Sequence, residues 1–115
     1  MKIGEKPLIS IVIPVFYCGD VLRKTLQGLL NADYPKEKLE IIFSYYLDPE
    51  DSLTFNIIEE SKQKYADKFY NIKILRRREP GSSYARNSGI RNSSGDYIFI
   101  LDDDIIIHKD TLNTP

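Results

Sequence analysis

The sequence predicts an α/β fold: a mostly parallel sheet of about four strands with helices on both faces. Three observations carry this expectation. Apolar, strand-length runs alternate with helix-length amphipathic segments along the 115 residues, in the order β-α-β-α-β-α-β. The first and last runs, residues 8–16 and 97–101, are almost continuously apolar, as strands covered on both faces are. The last run leads into Asp102-Asp103-Asp104, and open α/β sheets take ligands just beyond the carboxyl ends of their strands.

Each element has a local reason. Residues 8–16 form the first strand, limited where Pro14 removes a ladder donor. Asp20 is placed to cap a helix running to Asn31, with Leu22, Leu26, Leu29 and Leu30 on one face. Asp33-Tyr34-Pro35 reads as a turn, and residues 39–46 as a second strand rich in Ile, Phe and Tyr. Asp48-Pro49 opens the next helix, expected to reach Asp67 with Phe55, Ile58, Lys62 and Tyr65 along one side. A short strand follows at residues 71–75, then an arginine-rich loop at 76–81. Ser82 or Ser83 can cap a third helix ending at Arg91, in which Ala85 and Gly89 allow close approach to the sheet. The final strand is expected beside the first, which creates a switch point between them.

Composition narrows the class. Hydrophobic residues are 42% and charged residues 29%, typical of one globular domain spanning residues 1–115. A net charge of −1 gives no electrostatic footprint for nucleic acid, so no nucleic-acid partner is expected. The single cysteine, Cys18, excludes an internal disulfide and fits a reducing, cytoplasmic setting. No apolar run has the length of a spanning helix. Arg76-Arg77-Arg78 reads first as a solvated charge run; it would also suit a diphosphate or an anionic lipid surface, with a peripheral place at the cytosolic membrane face.

The chemistry centres on the aspartates. Adjacent carboxylates about 4 Å apart repel by about 4 kcal/mol at an effective dielectric of about 20, a cost that a cation offsets. Oxygen-only ligands favour Mg²⁺ or Mn²⁺, and such sites commonly pair one or two carboxylates with substrate phosphates. The first strand-to-helix turn holds one glycine and no Walker lysine, so a glycine-rich phosphate cradle is absent there. A solvated turn is the plain alternative for the triplet. His108 suits a surface or cap role better than a metal role.

Four segments, in order, carry a resemblance: Ser10-Ile11-Val12-Ile13-Pro14-Val15-Phe16; Tyr34-Pro35 with Leu39-Glu40-Ile41-Ile42; Gly81-Ser82-Ser83-Tyr84-Ala85-Arg86-Asn87-Ser88-Gly89-Ile90; and Gly95-Asp96-Tyr97-Ile98-Phe99-Ile100-Leu101-Asp102-Asp103-Asp104. Together they resemble the nucleotide-sugar-binding half of family 2 glycosyltransferases, inverting enzymes of the Rossmann-like GT-A fold. The resemblance implies that the triplet is the family's DxD motif, with Asp104 the principal metal ligand, Asp102 its partner, and Asp103 at the ribose or assisting the metal. It implies that Pro14, Val15 and Phe16 line the base pocket and that Arg86 and Asn87 lie near the nucleotide. Arg86 also reads as an ordinary helix-surface arginine.

Two departures from the family pattern follow. The aspartate that pairs with uracil in the family falls at Tyr45 here; Asp48 could replace it or simply cap its helix. This departure leaves base specificity open: UDP-sugar is the first expectation for the donor, with GDP- or dTDP-sugar as alternatives. The family's acceptor half, with its catalytic base, would begin after Pro115, so no catalytic residue is expected in this chain. A non-catalytic nucleotide-sugar-binding or subunit-interaction module is the alternative. A sheet edge without its usual neighbours predicts exposed apolar surface and a homodimer. A receiver- or phosphatase-like domain would instead put its aspartates after the first strand, where Pro14-Val15-Phe16 stand.

Overall fold

A computed structural model of the chain describes residues 6–15, 21–46, 52–77 and 82–101. Four strands, β1 (Ile9–Val15), β2 (Leu39–Tyr46), β3 (Asn71–Arg77) and β4 (Tyr97–Ile100), alternate with three helices, α1 (Val21–Asn31), α2 (Ser52–Tyr65) and α3 (Ser82–Arg91). The strands form one sheet in the order β3-β2-β1-β4, every pair parallel. β1 pairs with β2 from Ile9↔Leu39 to Val15↔Tyr45, and with β4 from Ile9↔Tyr97 to Val12↔Ile100. The expected return of the last strand to the first is observed.

The twofold alternation of strand side chains separates two unlike faces. Ile9, Ile11, Ile13 and Val15 of β1 and Leu39, Ile41, Phe43 and Tyr45 of β2 meet Leu22, Leu26 and Leu29 of α1 and Ile57 and Ile58 of α2 in the main core. The opposite face presents Ser10, Val12, Glu40, Ile42 and Ser44, all buried, and is covered by α3. Contact there is close because α3 turns Ala85 and Gly89 inward. A Cβ on Gly89 would stand 2.2 Å from Val12 Cγ1, so only glycine fits.

Several boundaries differ from expectation. β3 runs to Arg77, because pairing with Tyr45 and Tyr46 draws Arg76 and Arg77 into the ladder that residues 76–81 were expected to leave. The inward stripe of α2 is Thr54, Ile57, Ile58 and Ser61; Lys62 is exposed, Phe55 and Tyr65 lie at the margin, and the helix ends at Tyr65 rather than near Asp67. α3 includes Ser82 and Ser83 in its first turn rather than starting after one of them. β4 is not covered on both faces: Tyr97 is 65%, Ile98 42% and Ile100 39% exposed. Among the described strands its run has a neighbour on one side only, β1, and α3 sits over β1 and β2 rather than over β4. The capping roles expected of Asp20, Asp48 and Pro49 lie outside the described residues.

The Gly89–Val12 contact generates a test. Gly89→Ala should lower stability by about 1–3 kcal/mol, the usual cost of overpacking. Combined with Val12→Ala, which removes the obstructing methyls, the loss measured by urea denaturation should be smaller than the sum of the two single losses.

Candidate functional site at the carboxyl edge

All four strands point the same way, so their carboxyl ends share one edge of the sheet. The order reverses direction between β1 and β4: the crossovers leave β1 toward β2 and β3, then return to its other side. Helices covering opposite faces separate at such a point and leave a crevice. Pro14 and Val15 end β1 at this edge, both buried, and the backbone amide of Leu101 donates to the carbonyl of Val12 at 2.9 Å. Leu101, 2% exposed, thus locks the end of the β4 segment against β1, and the next residue in sequence is Asp102.

The described residues bring some of the expected site residues to this edge. Pro14 and Val15 are there. Tyr45 lies opposite Val15 in β2, its ring buried and tilted against Phe55 at 6.0 Å between centroids. Arg86 and Asn87 are exposed on α3, the helix that begins at this edge. Phe16, Asp48, Asp102, Asp103 and Asp104 lie outside the described residues, as do Cys18, Arg78 and His108. Among the described residues there is no cluster of three acidic, histidine or cysteine side chains able to hold a metal, and no helix is long and apolar enough to cross a membrane.

Arg76 is engaged elsewhere. On the α2 face of β3 its guanidinium pairs with Glu59 at 3.1 Å and stacks over the Phe55 ring at 4.9 Å. Of the arginine run, the described side chain is thus already paired, while remaining exposed. A groove of about 200 Å³ between α1 and α2, lined by Arg23, Gln27, Glu60, Lys64 and Tyr65 among others, lies on the helix layer rather than in the crevice.

Sequence reasoning missed the polar cluster that ties β4 into the sheet. Glu40, at the start of β2, is fully buried on the α3 face. Its Oε1 accepts hydrogen bonds from Ser10 Oγ and from the backbone amide of Ser94, both at 2.8 Å. Ser10 Oγ in turn accepts from the amide of Gly95 at 2.8 Å. Glu40 Oε2 has no aligned hydrogen-bond donor and takes its compensation from the Lys73 ammonium at 3.3 Å. The same ammonium donates to the Asn92 carbonyl at 2.6 Å. A Cβ on Gly95 would stand 2.6 Å from Ser10 N and Oγ, so the turn can approach β1 only with glycine there. Asp96 completes the join, its amide donating to the Leu8 carbonyl at 2.7 Å and its Oδ2 accepting from the Leu8 amide at 3.0 Å. The available signal was a Ser, a Glu and a Lys (Ser10, Glu40, Lys73), each interrupting a predicted apolar strand.

Burial alone would push the Glu40 carboxyl up. Hydrogen bonds from the Ser94 amide and the Ser10 hydroxyl, with the Lys73 ammonium facing Oε2, outweigh it and hold the carboxyl below its ordinary value.

Comparison with known proteins places this geometry in context. A family model described as glycosyl transferase family 2 matches residues 10–114. A dolichyl-phosphate-linked diacetamido-glucuronosyltransferase of Methanococcus voltae is 37% identical over 93 residues, covering 81% of this chain and 28% of that protein. The probable glycosyltransferase YdaM of Bacillus subtilis is 36% identical over 104 residues, covering 87% and 23%. This chain therefore spans about a quarter of the length of these relatives. Among solved structures, residues 1–349 of S. aureus TarS in complex with UDP-GlcNAc superpose with a TM-score of 0.72 at 26% identity, covering 91% of this chain and 29% of that one. A mannosyltransferase from Pyrobaculum calidifontis, solved with GDP-Man and Mn²⁺, shares the fold at a TM-score of 0.80 and 21% identity, covering 95% and 31%.

The lowered Glu40 value gives the scaffold a signed pH dependence. Because the folded value lies below the unfolded one, the ionised carboxylate contributes stability at neutral pH, which is lost as pH falls from the ordinary value of 4.5 through the folded value. Urea denaturation of the wild type between about pH 6 and pH 3 should show this loss, and Glu40→Gln, less stable at pH 7, should show a flatter profile over the same range.

Proposed function

The chain belongs to glycosyl transferase family 2, and from that premise we propose that it binds the nucleotide diphosphate of a sugar donor in the crevice between β1 and β4. The observation that carries the reading is the parallel β1–β4 pairing, locked by the Leu101–Val12 hydrogen bond one residue before the acidic triplet. The GT-A likeness of the whole sheet supports it.

The roles follow from chemistry and position. Pro14, Val15 and Phe16 bound the base, with Tyr45 behind them and Asp48 as the carboxylate nearest in sequence for a uracil imide. Arg86 and Asn87 on α3 contact the diphosphate or ribose, and Asp103 contacts the ribose. Asp102 and Asp104 fit a Mg²⁺ or Mn²⁺ ion as hard oxygen donors following a strand end in a fold that offers no glycine-rich phosphate loop there. A divalent cation held by them supplies positive charge to the departing diphosphate. UDP-sugar is the favoured donor, in line with the UDP-GlcNAc bound to the TarS neighbour; GDP- and dTDP-sugars are the competing donors.

We assign no catalytic base within the 115 residues. Inverting transfer needs one to deprotonate the acceptor hydroxyl, so this chain supplies donor binding and leaving-group stabilisation. The second reading is a nucleotide-sugar-binding or subunit-interaction module that holds the donor without carrying out transfer. The acceptor and any cytosolic membrane-face association belong to the whole protein; at that face Arg76 contributes less, being paired with Glu59. The exposed apolar side chains of β4, Tyr97, Ile98 and Ile100, are the proposed surface for a homodimer.

Calorimetric titration with UDP, GDP and dTDP, with and without Mn²⁺, tests the donor site. Binding should require Mn²⁺, favour UDP, and fall at least about tenfold in Asp104→Ala, the scale expected for a lost metal ligand. Equal affinity in chelator, or in the variant, overturns the reading. Light scattering over rising protein concentration should show a dimer, and Ile98→Lys on the exposed β4 surface should return it to monomer.

A further inference from the structure

We infer that Glu40 is a positioning residue for the donor site: through Ser10, Ser94 and Gly95 it clamps the α3–β4 turn to β1 and so sets the register in which β4 delivers the acidic triplet. This rests on the reading that Asp102 and Asp104 hold the metal and the donor diphosphate.

The geometry argues for it in three steps. β4 is short, four residues, and pairs with β1 alone among the described strands. So short a ladder specifies register weakly, and a slip of one residue would turn every side chain after it to the opposite face of the sheet. Something outside the ladder must then fix the phase. The Glu40 cluster does so at the entry to the strand: Ser94 N to Glu40 Oε1, Gly95 N to Ser10 Oγ, and Ser10 Oγ to Glu40 Oε1, each 2.8 Å, join the turn to β1 and β2. Lys73 brings in β3 by facing Glu40 Oε2 while donating to Asn92 O and, at 3.3 Å, to Ser94 Oγ. Asp96 pins the next residue to Leu8.

The cluster is also directional in its chemistry. A carboxylate offers only acceptors, so it can hold the amide of Ser94 and the hydroxyl of Ser10 together, leaving the Ser10 lone pairs to receive Gly95. A glutamine at this position keeps the shape but loses the charge facing Lys73, and an amide nitrogen turned toward Ser94 N would meet a donor with a donor. The far end of the strand bears the consequence. The Leu101 amide bond to Val12 forms only in the observed register, and the triplet starts at the next residue. A fault at Ser94 is therefore felt at the metal ligands without any direct contact between Glu40 and donor.

The test compares wild type, Glu40→Gln, the milder Ser10→Ala, and Ile57→Ala, which opens a cavity in the main core on the opposite face and serves as a control destabilised without touching the clamp. Amide hydrogen exchange and Mn²⁺-dependent UDP titration are measured on the 115-residue chain, well below the unfolding midpoint of each variant. Glu40→Gln and Ser10→Ala should speed exchange at Gly95 and Leu101 at least about tenfold beyond the change in Ile57→Ala, and should weaken UDP–Mn²⁺ binding at least about tenfold while Ile57→Ala stays within about twofold of wild type. If Glu40→Gln does not fold, Ser10→Ala carries both measurements. Exchange or affinity that tracks overall stability alike in all three variants makes Glu40 a merely structural residue and overturns the inference. Absence of UDP binding by the wild type would instead overturn the donor-site reading, and the exchange measurement would then still decide whether the clamp sets the register of β4.

Discussion

Strand β1 is the constraint on which the rest depends. Each of its seven residues is buried, and it is paired in parallel on both sides, with β2 and with β4. A strand in that position leaves no freedom of direction to its neighbours, since each must return across the sheet by a helical crossover before pairing. The carboxyl ends are thereby gathered on one edge, and the reversal of order beside β1 creates the crevice. The site is a product of topology before any functional side chain is considered.

The two faces of the sheet divide the labour. One carries large aliphatic and aromatic side chains against α1 and α2 and supplies the bulk of the buried apolar surface. The other is thin: small residues of α3 lie close over Val12, and its amino end is occupied by a hydrogen-bonded carboxylate, not by hydrocarbon. A buried charge is costly unless it is satisfied, so such a cluster contributes specificity of arrangement more readily than net stability. Here the arrangement it specifies is the seating of β4 against β1.

Much of this was legible in the sequence because it depends on local pattern. The apolar runs of β1 and β2, the leucine stripe of α1, the Ala85–Gly89 spacing and the acidic triplet each follow from neighbours in the chain. What escaped depends on distant partners. Arg76 looked like a loop residue because its strand partners, Glu59 and Phe55 lie elsewhere in the sequence. The run from Tyr97 to Ile100 looked enclosed because apolar composition does not report how far neighbouring elements cover a strand. Glu40 carried no structural role in the sequence, and only the register joining Ser10, Glu40 and the 92–95 turn gives it a reason to be buried. The candidate site was legible as chemistry, three carboxylates after a strand, while the means of holding that strand in place was not.

The order of synthesis gives the Glu40 cluster a further meaning. The groups that satisfy it are contributed by segments 30 residues before it and 54 residues after it. A β1–β2 pair without the 92–95 turn in place would leave Glu40 short of its Ser94 donor. Burial becomes affordable only when Ser94 and Gly95 arrive to close it. Long-range pairing of this kind forms late, after loop-closure entropy has been overcome, and intermediates that precede it expose unpaired strand. Glu40 therefore couples three stretches of chain: its burial is fully compensated only when β1, β3 and the 92–95 turn are all seated around it.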